Sequence, residues 1–376
     1  MPISGAPVIG WSLGTCGGAP YGSSSLGTKA SFMASNTRTR DLALSILVLL
    51  AILAIGYLWP RGGPSLPGVT YEARYIDPGP MLHLAEVLSS DALEGRGAGT
   101  PGAEAGRSFI RKRFEDTGVR PFLTSGWEQP VTILPRKDLE DPGPGANILG
   151  YVAGETPGEG PLLVITAHSD HLGIRNGEIY NGADDNASGA AMLTALAEYF
   201  VRVPPKHDIL FAAVDAEEVG FLGARAFLRD PAIPLDRIAL NINLDMVSRS
   251  EAGELFAAGT YHTPALAPLI TETALNAPVT LLMGHDRPED GPNDWTSQSD
   301  HAVFHAAGIP FLYFGVEDHP GYHKPEDDFS AITPDFYVRA GDTLAVIVRA
   351  ADADLANIAA HRREILETAS QEETAE

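Results

Sequence analysis

Residues 161–203 read PLLVITAHSDHLGIRNGEIYNGADDNASGAAMLTALAEYFVRV. The first eight are a short apolar, β-rich run that ends on His168, and the residues after Ser188 place apolar side chains at helical spacing. A buried strand, a polar loop and a helix in that order are the repeating unit of a parallel α/β sheet. The unit recurs downstream. DILFAAVDA (208–216), IALNINLDMV (238–247) and IPFLYFGV (309–316) read as further strands, and FLGARAFLRD (221–230), 264–275 and 300–307 as helices between them. A last helix opens at Thr333-Pro334 and runs through Leu344 and Val348. Upstream, SSDALEGRGAGTPG (89–102) is a glycine-rich loop. Its Thr100-Pro101 cap a helix whose apolar face is Ala105, Phe109, Ile110 and Phe114 and which Gly118 stops, and DPGPGAN (141–147) is a turn before the central strands. The alternation predicts an α/β fold, a mostly parallel mixed sheet flanked by helices on both faces.

At 376 residues, 44% hydrophobic and 20% charged, the chain is long enough for one large domain with additions. Its net charge is −23, and residues 1–70 hold four basic side chains and one acidic. The remainder therefore has 22 basic against 48 acidic side chains, which repels phosphate backbones and excludes nucleic acid as a partner. The single cysteine, Cys16, lies in a low-complexity stretch, so the folded part has neither thiolate ligand nor cysteine nucleophile. Any metal there is held by imidazole and carboxylate.

Residues 42–59 (LALSILVLLAILAIGYLW) are apolar or small throughout, near the minimum of roughly 17–25 residues for a bilayer span. Arg38 and Arg40 precede them, which predicts a single-pass anchor in the cell (inner) membrane, a cytoplasmic amino terminus and a periplasmic or extracellular catalytic domain. Secretion after signal cleavage is the alternative. The expected division is a disordered or misannotated segment over 1–41 (translation starting at Met33), an anchor over 42–59 and a linker over 60–77. A catalytic domain over 78–355 and an acidic tail over 356–376 complete it.

Five places at or just beyond strand ends carry the chemistry. They are His168 and Asp170, Asp184 to Asn186, Glu217 and Glu218, Asp245, and His323. Ligands of open α/β sheets bind at the carboxyl ends of the strands. Zinc without thiolates takes imidazole and carboxylate ligands, and two zinc ions can share one carboxylate. Neighbours such as Glu217 and Glu218 point in different directions, so one can bind metal while the other faces water.

In these motifs and their order the chain resembles the secreted bacterial leucyl-aminopeptidase family of co-catalytic di-zinc exopeptidases, whose clan also holds glutamate carboxypeptidases and glutaminyl cyclases. The resemblance covers about residues 78–350. It implies a zinc-exopeptidase, phosphorylase/hydrolase-like fold and two Zn2+ per chain, one on His168, Asp185 and Asp245 and the other on Asp185, Glu218 and His323. It also implies Glu217 as general base, Asp170 as the carboxylate orienting His168, Tyr322 as an oxyanion donor, and peptide or small-protein amino termini as substrate. His171, where many members carry a small residue, and the nearby Asp318 and His319 depart from the pattern.

Alternatives stay open: a single-zinc glutaminyl cyclase, a carboxypeptidase or dipeptidase of the same clan, or a non-catalytic ectodomain. His171, His301 and His319 read as capping or surface residues, Asp300 as a helix N-cap, and Asn186 and Ser188 as caps of the helix after them.

Overall fold

The apolar runs become the centre of the sheet. The computed structural model describes residues 68–137 and 139–375. In chain order its principal elements begin with α1 (Pro78–Leu88), α2 (Pro101–Thr117), β1 (Arg120–Pro121), β2 (Glu128–Val131), β3 (Gly145–Val152) and β4 (Leu162–His168). The hairpin β5 (Gly173–Arg175) and β6 (Glu178–Tyr180) follows, then α3 (Gly189–Arg202), β7 (Asp208–Val214), α4 (Leu222–Arg229) and β8 (Ile238–Leu244). The last elements are β9 (Glu254–Ala258), α5 (Ala267–Ala274), β10 (Thr280–Met283), α6 (His301–Ala306), β11 (Phe311–Gly315) and α7 (Pro334–Ala375).

Among the described residues, nine strands make one sheet in the order β1-β3-β7-β4-β8-β11-β9-β10, with β2 also paired to β3. The centre β7-β4-β8-β11 is parallel throughout, whereas β3 runs against β7 and β9 against β11. All seven residues of β4, of β7 and of β8 are buried. Their alternation sends Leu163, Ile165 and Ala167 to a core shared with α1, α3 and α7, and Leu162 and Val164 to a second core with Ala224 and Phe227 of α4 and Phe304 of α6. Helices therefore cover both faces, as the sequence predicts.

Local signals set the helix ends. The Thr100 hydroxyl accepts from Ala103 N at 3.3 Å, Pro101 opens α2, and Gly118 closes it with φ +82°. The described part of the expected linker is fastened to α7. Asp335 accepts from Thr70 N (2.7 Å) and Tyr71 N (2.8 Å). Buried Asp342 accepts from the Tyr71 hydroxyl (2.9 Å), Arg74 N (2.7 Å), Tyr75 N (2.9 Å) and Ile76 N (3.3 Å).

The expectation of a transmembrane helix is corrected, and with it the membrane as a partner and the inner-membrane placement. Among the described residues no helix is long and apolar enough to cross a membrane. The longest, α7, has the length at 42 residues but carries Arg339, Asp342, Arg349 and Asp352 in its first half. Each such charge costs about 2.5–3.5 kcal/mol at a bilayer centre. Residues 42–59, on which the expectation rested, lie outside the described residues.

Asp342→Ala leaves four donors without their acceptor and is expected to lower unfolding free energy by about 3 kcal/mol or more. The measurement is the urea midpoint, with the slope unchanged. A loss under about 1 kcal/mol would contradict the fastening role.

Candidate metal centre

Because β7, β4, β8 and β11 are parallel, their carboxyl ends share one edge, and each delivers a polar residue there. His168 is the last residue of β4, paired with Val214 of β7. Glu217 and Glu218 follow β7, Asp245 follows β8, and His323 lies beyond β11. Asp185 lies in the turn before α3, and its peptide to Asn186 is cis. Ala216, Met246 and His323 have φ of +60°, +58° and +54°, a region L-residues avoid, beside the functional side chains they aim.

Among the described residues, two groups of ligand-type atoms converge. In the first, His168 Nε2 is 3.3 Å from Asp185 Oδ1 and 3.3 Å from Asp245 Oδ1. In the second, His171 Nδ1 is 2.8 Å from Glu218 Oε1 and 3.6 Å from Asp185 Oδ2. His323 Nε2 approaches the same two oxygens, 3.0 Å from Asp185 Oδ2 and 3.6 Å from Glu218 Oε1. Ligands about 2.0–2.1 Å from a tetrahedral zinc stand about 3.3 Å from one another, so the donor sets fit such ions. Asp185 belongs to both groups, one oxygen turned to each. Buried Glu218 Oε1 and His171 Nδ1 have no hydrogen-bond partner, as expected of atoms arranged for a cation.

The electrostatics follow from crowding. Burial pushes the Asp185 carboxyl up, but His171, His168 and His323 outweigh it and hold the group well below the usual carboxylate range. It stays anionic. Glu217 goes the other way. Burial raises it well above the ordinary value; His168 opposes this while Asp300, Asp245 and Glu218 add to it.

Other groups hold the ligands in place. The Asp170 carboxylate accepts from Glu217 N at 3.0 Å and Glu218 N at 3.4 Å. His168 Nδ1 is 3.2 Å from the Asp170 main-chain oxygen and 3.8 Å from its carboxylate. Asp170 therefore touches the acidic pair most directly. Asp327 accepts from Asp184 N and Asp185 N, each at 3.0 Å, and Asn186 Nδ2 donates to Leu244 O at 2.8 Å, tying the Asp185 turn to the end of β8. Arg96, wholly buried, donates to the main-chain oxygens of Leu88, Ser169, Asn181 and Gly182, and so fixes both loops that carry ligands.

A cavity of about 280 Å³ opens on the cluster, with Phe221, Met246, Trp295, Val316 and Tyr322 among its apolar lining and Glu217 and Asp318 among its acidic lining. Tyr322 stacks on His323 at 4.0 Å between ring centroids. Burial pushes the Asp318 carboxyl up, and neighbouring Glu317 adds to this.

The structure brings His168, Asp185, Glu217, Glu218, Asp245, Tyr322 and His323 around one cavity, with Asp170 behind them. Asn186 does cap α3, its Oδ1 accepting from Gly189 N at 2.8 Å. His301 is structural, its Nε2 2.8 Å from Trp295 O, and His319 lies outside both groups, 3.4 Å from Asp184.

Two readings change. Asp300 makes no capping bond; it is wholly buried with both oxygens unpartnered, and burial pushes it up to about 7, with His168 and Asp245 the charges it feels. His171 is buried inside the second group rather than on the surface. The signal for it was present, a third imidazole three residues after His168 in the same loop. Arg96 and Asp327 gave no such signal, since their partners are main-chain atoms far away in sequence.

A model of peptidase family M28 matches residues 147–348, which hold every ligand-type residue above. Aminopeptidase YwaD of Bacillus subtilis (strain 168) is 29% identical over 211 residues, 54% of this chain and 44% of that protein. Leupeptin-inactivating enzyme 1 of Streptomyces exfoliatus is 26% identical over 242 residues, 62% and 48% of the two chains. The chain thus spans about half the length of the curated relatives it matches. Among solved structures, the zinc aminopeptidase BSAP from Bacillus subtilis aligns with a TM-score of 0.57 at 18% identity, over 74% of this chain and 96% of that one. Porphyromonas gingivalis glutaminyl cyclase aligns with a TM-score of 0.60 at 17% identity, over 73% and 99%. At such identities the likeness speaks for the fold alone.

Asp170→Asn removes one of the two acceptor oxygens that fix the Glu217–Glu218 pair. Metal affinity, read by competition with a chromophoric chelator, is expected to fall about 10–100-fold with the circular dichroism unchanged. Unaltered affinity would show that the pair is placed by other contacts.

Proposed function

The chain belongs to peptidase family M28, and from that membership and the paired donor groups we propose that it is a zinc-dependent aminopeptidase holding two Zn2+ per chain. The observation that carries the reading is the single buried carboxylate of Asp185, with Oδ1 turned to one group and Oδ2 to the other. In this assignment His168, Asp185 and Asp245 hold one ion, and Asp185, Glu218 and His323 hold the other. Presence of both groups favours this over a single-metal cyclase.

Paired ions held by these residues would supply Lewis-acid polarisation of the scissile carbonyl and a lowered pKa, towards about 7, for the attacking water. Glu217 takes that water's proton and passes it to the leaving amine. Burial raises its proton affinity above that of an ordinary glutamate, which suits a group that must accept a proton and then release it. Asp170 holds Glu217 and Glu218 at their main-chain nitrogens, and Tyr322, beside His323, offers its hydroxyl to the developing oxyanion. The apolar wall of Phe221, Met246, Trp295 and Val316 excludes water and accepts an apolar side chain. Acidic Asp318 and Glu217 line the cavity and, among the described residues, no lysine or arginine does, which suits the cationic α-amine of a peptide amino terminus better than a terminal carboxylate.

Glu217→Gln is expected to lower kcat about 10²–10⁴-fold on aminoacyl anilides while bound zinc is retained. Near-normal turnover would remove Glu217 from its role. The base works only when ionised, and its raised pKa means that the ionised fraction falls as pH drops, so kcat/KM of the native chain is expected to decline on the acid side. Amino-blocked peptides are expected to resist cleavage; preferential cleavage of blocked peptides would refute the aminopeptidase assignment.

A further inference from the structure

His171 has no place in the ligand assignment above, yet it stands in the same relation to Asp185 and Glu218 as His323 does. We infer that His171, through Nδ1, is a further protein ligand of the ion shared by Asp185 and Glu218, so that this ion is gripped from the protein interior as well as from the cavity side. The inference rests on the two-ion reading of the site and adds a residue to it.

Three observations carry it. First, His171 Nδ1 and Glu218 Oε1 are 2.8 Å apart and make no hydrogen bond, although both atoms are buried. A protonated ring nitrogen so close to a carboxylate would turn its N–H onto the oxygen; two atoms that approach without doing so are placed as joint ligands of a third body. Without a cation, the pair leaves a buried nitrogen and a buried carboxylate oxygen unsatisfied.

Second, the ring cannot turn away. A Cβ built on Gly182 would lie 2.5 Å from ring atoms Cγ and Cδ2 of His171, so the imidazole is seated against the bare backbone of the turn that carries Asp185. Gly182 has φ +57°. His171 N donates to Arg96 O at 3.2 Å, while the Arg96 guanidinium donates to Ser169 O and Gly182 O, both at 3.0 Å. One buried side chain therefore joins both walls of the slot in which the ring lies.

Third, the two imidazoles differ in access. The His171 side chain is 0% exposed and that of His323 is 40% exposed. His171, Asp185 and Glu218 thus form a donor triad complete without the cavity-side histidine. If His323 joins this triad, the ion at Glu218 would have four protein ligands against three for the ion at His168.

The test is zinc titration of the full chain against a chromophoric competitor, with the native protein, His171→Ala and His171→Asn. Loss of one ion, or weakening of one ion by about tenfold or more while the other keeps its affinity, is the expected result for both variants. Melting in excess chelator separates this from a packing defect: the variants are expected to match the native protein there and to lose part of the rise in Tm that zinc confers. If the alanine variant does not fold, the asparagine variant is read alone, and the visible spectrum of its second Co2+ equivalent is expected to change. Native affinity for both ions in the folded variants would overturn the inference. A native protein that holds a single ion refutes the two-ion reading, and loss of that ion in the variants then still supports a ligand role for His171. A native protein that binds none overturns both.

Discussion

The site depends on one carboxylate kept anionic where anions are costly. Asp185 is buried, which pushes its carboxyl up, and His171, His168 and His323 outweigh that and hold it well below the usual carboxylate range. A carboxylate so placed can turn one oxygen to His168 and Asp245 and the other to Glu218, His171 and His323. Neither donor group is complete without it. The parallel strand ends bring those side chains to it, and buried hydrogen bonds from Arg96, Asp327 and Asp170 hold their main chain.

Sheet geometry does the first task. Parallel pairing of β7, β4, β8 and β11 puts four strand ends on one edge, and buried strands give those ends little freedom. Buried hydrogen bonds do the second. Arg96 clamps the loops of His168 and Asp185, Asp327 holds the Asp185 turn by its main chain, and Asp170 holds Glu217 and Glu218 likewise. These contacts lie behind the ligands, where outer partners are worth about 10–100-fold in metal affinity. The left-handed conformations at Ala216, Met246 and His323 put backbone strain at the points where side chains must be re-aimed into the cavity.

The parallel core was legible because doubly buried strands read as largely apolar runs, and β4, β7, β8 and β11 all do, β8 with Asn241 and Asn243 inside it. The antiparallel edge was less so. β3 opens with glycine and follows a Pro-Gly turn, β1 is two residues long, and Pro130 lies within β2. Their pairing is decided by neighbours remote in sequence. The site was legible to the extent that its chemistry sits at strand ends. Asp300 resembled a cap because it begins a helix, yet its oxygens face the interior. His171 resembled a surface residue because nothing in its local sequence shows that the backbone at Gly182 closes over it. The apolar run at 42–59 lies outside the described residues, among which no helix is long and apolar enough to cross a membrane.

The central claim is that one side chain serves two ions, and counting zinc in Asp185→Asn tests it most directly. Native mass spectrometry of the folded variant beside the native chain gives the number of ions per molecule. The account requires two in the native chain and concerted loss of both in the variant. A variant that keeps one ion at native affinity would contradict it, because the two groups would then be independent.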